Sequence, residues 1–236
     1  MNEFAESLER LLAEVAAPKL AQALEESGFL DAMVPQERGG AGLSLADAFE
    51  LFVLEGKYAP EFPLAMTIAG RAGLPVGDRQ PTAAAVTAAK IVGALEKTLD
   101  ITLAYANERV QFGKPIGRFQ AIQHQLAVMA EQVAAARMAA QIGCSGGGAE
   151  ADPLRAAAAK SRASEAAAIV APLAHAIHGA VGITAEYDLQ RFTTRLHQWR
   201  AEHGSELAWN RVLGRALLDG GEPLTLDFMR GKLLPP

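Results

Sequence analysis

Residues 105–129 read YANERVQFGKPIGRFQAIQHQLAVM, and the change of pattern inside this stretch decides how the chain folds. Before it, Val92, Leu95, Leu99, Leu103 and Ala106 recur every three or four residues, and after it Ile122, Leu126, Met129 and Val133 do the same. That spacing keeps side chains on one face of a helix. Two helices therefore meet through a short loop at residues 112–117, which holds Gly113, Pro115 and Gly117. Arg109, Gln111, Lys114, Arg118, Gln120 and Gln123 crowd the junction, offering a planar guanidinium and several amides to an anionic or multiply hydrogen-bonding ligand. Such residues are also ordinary at solvated helix turns, so spacing alone leaves both uses open.

Composition bounds the rest. A chain of 236 residues, half of them hydrophobic, buries a sizeable core. A net charge of -5 with scattered basic residues argues against nucleic acid as a partner, and 21% charged residues is not the composition of a disordered chain. No apolar run approaches the ~20 residues that span a bilayer, and the acidic residues 1–14 are unlike a secretory signal. A cytoplasmic protein without a membrane partner is expected. Cys144 is the single cysteine, so neither a disulfide framework nor a cysteine metal cluster is available, and its glycine neighbours predict a surface thiol.

Taken in order, Phe4, Leu8, Leu11, Leu12 and Val15 form an amphipathic first helix, which Pro18 ends or kinks before a second runs toward Gly28. Ser44 with Asp47 forms a capping pattern for a helix over 45–58, and 66–73 is again helical. PVGDRQP, residues 75–81, is a linker. Helices follow over 82–107, rich in alanine and leucine, and over 119–142. A glycine-rich flexible linker spans 144–151, and Asp152 with Pro153 starts a helix over 154–177. Leu189, Phe192, Leu196 and Trp199 mark one face of the next helix, and a last one covers 205–218. The apolar tail 222–232 docks either on a partner or on its own core. No run alternates as a strand does, so the fold class is all-α.

The pattern YAxxRxQFGxxIxxFQxxxHxxAxM, carried by Tyr105, Arg109, Gln111, Phe112, Ile116, Gln120 and His124 among others, closely resembles the signature of the carboxy-terminal helical domain of acyl-CoA dehydrogenases. These are flavoenzymes that introduce a double bond beside an acyl-CoA thioester. FLDAMVPQERGGAGLSLADA, residues 29–48, resembles the family's amino-terminal helical domain. The resemblance implies two helical lobes, 1–74 and 82–236, joined directly by 75–81 where the family inserts a β-barrel of about a hundred residues. It implies FAD as cofactor, with Arg109 and Gln120 on its pyrophosphate and adenosine parts and Gln111 and Phe112 beside them, the flavin being held mainly by a neighbouring subunit. HGAVGI, residues 178–183, resembles the family's glycine loop, so His178 and Gly179 join the implied cofactor site, although the family's glutamine falls on Ala176 and its second glycine on Ala180.

The family's catalytic glutamate is missing. One branch places it at Ala83, with an arginine at Ala84, and the other at His203, after Glu202. A histidine titrates near neutrality and could serve as base, but a one-residue shift turns a helical side chain by ~100°. Glu202 and His203 thus stand as candidate bases or as exposed residues at a helix break. The resemblance implies an acyl-CoA substrate and a homo- or hetero-oligomer. Three functions follow: a subunit that lends a half-site to a barrel-containing partner, a self-sufficient dehydrogenase with an unusual base, or a catalytically inactive helical oligomerisation module.

Overall fold

Residues 82–95, TAAAVTAAKIVGAL, are buried without interruption. A helix apolar on all sides must be surrounded, and α5 (Pro81–Glu108) is packed on by α3 (Phe49–Tyr58), α6 (Gln120–Cys144), α7 (Pro153–His178) and α8 (Leu189–Ala201). The structure, a computed structural model, describes residues 3–146, 148, 150–184 and 186–234. Before α3 come α1 (Glu3–Glu14) and α2 (Ala17–Glu26), and α4 (Leu64–Arg71) follows it. The chain ends in α9 (Glu206–Asp219), the single turn α10 (Thr225–Phe228) and a π-helical turn, Met229–Leu233. The all-α class is correct, with helices resembling those of both terminal lobes.

Glycine sets the closest crossings. A Cβ on Gly93 would lie 1.9 Å from the Val53 carbonyl oxygen, and one on Gly56 1.9 Å from that of Lys90. α3 and α5 therefore touch backbone to backbone. Gly143 of α6 receives the Ala159 methyl of α7, where an added Cβ would stand 2.4 Å from the Ala159 Cβ. Alanine along α7 extends this short interaxial packing to its neighbours.

Several expectations need correction. The junction is not a plain loop: Val110–Gln111 (β1) and Lys114–Pro115 (β2) pair antiparallel in a two-residue hairpin. Phe112 (φ 51) and Gly113 (φ 77) sit at its tip, both with the positive φ that tight hairpin turns demand. Among the described residues these are the only strands. α3 begins at Phe49 rather than residue 45, although Ser44 and Asp47 do bond reciprocally, Asp47 N–H to Ser44 Oγ at 3.2 Å and Ser44 N–H to Asp47 Oδ2 at 3.3 Å. Cys144 is no surface thiol. It is 1% exposed, with Sγ 3.8 Å from the Ala85 carbonyl oxygen, because the C-terminal end of α6 presses on α5 before the glycines begin. Of the linker that follows, Gly147 and Ala149 lie outside the described residues, as does Ala185.

One span, Pro153–Ile183, is after all long and apolar enough to cross a membrane by length and composition. Most of its alanines are buried against α5, α6, α8 and α9, and 44% of its most apolar window is buried within the fold. The tail lies on its own core. Phe228 is buried, Arg155 donates to the Leu234 carbonyl oxygen (2.9 Å), and Leu226, Met229 and Leu233 line one cavity with Ile142 and Ala158. Asp152 caps α7 as expected, accepting from the Leu154 and Arg155 amides.

Candidate functional site

Arg109 is the C-cap of α5, where the chain turns from helix into hairpin. Its side chain is exposed, and no carboxylate among the described residues pairs with it. The contrast with other arginines is informative: Arg71 grips Glu25 and Asp31, Arg137 grips Glu50 and Glu96, and Arg200 grips Glu206. Arg109, Gln111 and Phe112 line one open groove of about 360 Å³, floored by Ile116, Ile122 and Ile177. Phe112 is 93% exposed in a left-handed backbone conformation, a position unfavourable for a non-glycine residue. Its ring meets Phe119 edge-on (centroids 6.2 Å), and the Lys114 ammonium lies 4.4 Å from the centre of the Phe119 ring. Gln120, the first residue of α6, is exposed beside Phe119 and outside the groove lining.

α7 brings a second set to the same place. Ile177 lines the groove, and Tyr105 of α5 donates to the His178 carbonyl oxygen at 3.3 Å while stacking on its ring (centroids 4.4 Å). The His178 ring is 3% exposed, donates from Nδ1 to the Ala174 carbonyl oxygen (2.8 Å) and leaves Nε2 without a partner. Burial holds its pKa below the ordinary histidine value. His178 thus contributes through packing, while Gly179, at φ 63 and ψ -144, turns the exposed chain with a conformation few other residues adopt. Tyr105, which ties the two sets together, was part of the motif but carried no expected role.

The second cluster lies at the far end of α5. Lys90, inside the fully buried run, holds its ammonium 3.4 Å from Glu55 and 3.5 Å from Glu202, over the Trp199 ring at 4.7 Å. Glu55 also accepts the Ala65 amide of α4 (2.5 Å), and burial raises its pKa against the pull of Lys90. Lys160 of α7, fully buried, donates to Ser164 Oγ and to the Arg200 and Gly204 carbonyl oxygens at 3.1, 2.9 and 2.9 Å. Burial pushes its pKa down to about 8. Lys160 thereby ties down the turn after α8 that carries Glu202 and His203. Glu202 is 40% exposed, but the His203 side chain is only 15% exposed, so the picture of two exposed residues fails for His203. His203 sits at φ 54 with Nδ1 buried and unpartnered, its Nε2 3.8 Å from Glu202, and burial lowers its pKa. Glu55, Lys90 and Lys160 were missed from sequence. The available signal was a lone charge inside a run apolar on both sides.

Residues 82–218 match the family described as acyl-CoA dehydrogenase, C-terminal domain, more than half of the chain. The chain belongs to the acyl-CoA dehydrogenase family. Acyl-CoA dehydrogenase IpdE2 of Mycolicibacterium smegmatis is 42% identical over 127 residues, 52% of this chain and 39% of that protein. The 3-sulfinopropanoyl-CoA desulfinase of Paraburkholderia xenovorans is 39% identical over 156 residues, 66% of this chain and 40% of that protein. The chain thus spans about two-fifths of the length of these curated relatives. Among solved structures, a chain of the ChsE4-ChsE5 complex from Mycobacterium tuberculosis superposes with a TM-score of 0.76 at 16% identity, over 95% of this chain and 99% of that one. A glutaryl-coenzyme A dehydrogenase in complex with glutaryl-CoA gives 0.54 at 30% identity, over 66% and 38%. Acyl-CoA dehydrogenases generally bind FAD, and PigA, a further relative in structure, is solved with it. Of the two positions at which the resemblance expects the family's glutamate, Ala83 is wholly buried and the His203 side chain is 15% exposed. Beside Ala83, Ala84 packs under Ala157 and Trp209.

Proposed function

We propose that this chain is an FAD-linked oxidoreductase subunit of acyl-CoA α,β-dehydrogenation that contributes a half-site to a barrel-containing partner. One observation carries the reading: Arg109 presents an unpaired guanidinium at an open groove, where a diphosphate would satisfy it with charge-assisted hydrogen bonds. The donor set fits the cofactor. Arg109 binds the pyrophosphate, Gln111 and Gln120 supply amides, Phe112 keeps water off, and the Gly179 turn next to His178 lets backbone come close. When bound, FAD supplies the acceptor for the hydride that leaves the acyl β carbon.

In this reading residues 1–74 and 82–236 are the two helical domains, and 75–81 stands where the family has its barrel. The partner brings the barrel and the base, since Ala83 cannot take a proton and His203 lacks the carboxylate. That some fold neighbours come from two-component complexes agrees with a hetero-oligomer acting on acyl-CoA. A cytoplasmic location belongs to the same reading.

The experiment is a flavin-fluorescence titration and an acyl-CoA bleaching assay, on the chain alone and with barrel-containing acyl-CoA dehydrogenases. Activity is expected only with a partner. Arg109→Ala should keep the helical circular dichroism while weakening FAD binding by the complex about tenfold or more, the worth of a hydrogen bond to a charged group. Equal affinity in the mutant removes Arg109 from the site. Turnover by the chain alone overturns the half-site and turns attention to Glu202 and His203, while a complex that forms without flavin leaves an oligomerisation module.

A further inference from the structure

A groove of about 730 Å³, twice the volume of the one at Arg109, opens between the first two helices, the 59–63 connection after α3, and α8. Leu12, Leu20 and Phe62 give it apolar walls, and Arg191 and Arg195 add two guanidinium groups. These arginines are four residues apart on α8 and so share a face. Arg191 is fixed in place: its Nη2 donates to the Tyr58 and Ala59 carbonyl oxygens at 2.6 and 3.0 Å, which leaves Nε and Nη1 for something else. Arg195 makes one long hydrogen bond, 3.4 Å to Gln198, and among the described residues no carboxylate pairs with either arginine. Glu61 is the one acid in the lining, so the groove carries an excess of positive charge.

Volume, apolar walls and a few convergent polar groups are the attributes of a small-molecule site. From the charge excess and the spare donors we infer that this groove binds an organic acid with an apolar body and a free carboxylate, the acid lying against Leu12, Leu20 and Phe62 and its head on Arg191 and Arg195. A thioester carries no such charge. The carboxyl on Arg191 and Arg195 is therefore a free one rather than one thioesterified to CoA, and the site shares no residue with the flavin half-site.

The test is isothermal titration of the full chain with decanoate, decanol and acetate. Decanoate should bind, and decanol and acetate should each bind about tenfold more weakly, for want of the charged head or the apolar tail. Arg195→Gln, which leaves the Arg191 anchor in place, should bring decanoate down to the decanol level, and Ala21→Phe, at a small residue in the lining, should abolish binding of both. Arg109→Ala should bind decanoate as the wild type does. Circular dichroism confirms that each variant folds. The inference is overturned if decanoate fails to bind at millimolar concentration, if it binds no better than decanol, or if folded Arg195→Gln or Ala21→Phe keeps wild-type affinity.

Discussion

Lys90 and Glu55 are 3% and 4% exposed as side chains and 3.4 Å apart; with the 40% exposed Glu202 3.5 Å from the same ammonium, the contact compensates both for leaving water. Burying two charges costs several kcal/mol apiece before their attraction returns most of it. The pair is therefore worth little net, but either charge left alone is costly. Lys90→Ala is expected to destabilise the fold by about 3–5 kcal/mol in urea unfolding. Replacing both by methionine should recover most of that loss, short of about 1 kcal/mol for the bond from the Ala65 amide to Glu55. If the double variant were as unstable as the single one, the two side chains would not be acting as a pair.

The element with least room for change is the α3–α5 crossing. Gly93→Ala would drive a methyl into the Val53 carbonyl, and backbone cannot yield as a side-chain tip does. A loss of at least about 1–3 kcal/mol follows, read as a lower urea midpoint. Gly70→Ala in α4, where the nearest atom to an added Cβ is 3.9 Å away, should be neutral or slightly stabilising. At this scale most of the fold was legible. The Asp152–Pro153 start, the stop at Gly28 and the apolar face of α8 are local signals, and local chemistry decides them. What escaped was decided by neighbours distant in sequence. Glu55 and Lys90 stand 35 positions apart and carry no mark of each other. Cys144 is buried by α5, whatever glycines follow it, and the hairpin depends on two positive φ angles that FG suggests only faintly. The site divided in the same way. Arg109, Gln111 and Phe112 come together because they adjoin in sequence, whereas Tyr105 meets His178 only through the packing of α5 on α7.

For the molecule as a whole, three histidines, one buried and two partly buried, set the response to acid. Burial lowers the folded pKa of His175, His178 and His203 from 6.5, so the unfolded chain binds more protons between those lowered values and 6.5. Their contribution is complete above 6.5 and is lost as pH falls through that window. Glu55 has the opposite sign, since its folded pKa is raised above 4.5 and its contribution fades as pH rises. Tm should therefore fall between pH 7.5 and 5.5 in about the manner linkage requires, and fall less in His178→Phe, which keeps an aromatic ring against Tyr105 but cannot titrate. An unchanged slope would mean that His178 takes up its proton without unfolding cost.

The nine-residue connection 72–80 between α4 and α5 has an engineering consequence. Ala72, Leu74 and Val76 pack against the core that anchors both helices, but residues Gly77 to Gln80 are exposed, so the bundle does not depend on what that tip contains. Loop entropy grows only logarithmically, about 0.6 kcal/mol per doubling of length, and exposed tips of this kind accept inserted domains. The chain is in effect a socket: a folded module with neighbouring termini, a fluorescent reporter or a barrel from a longer relative, could be spliced in there with the helices left as they are.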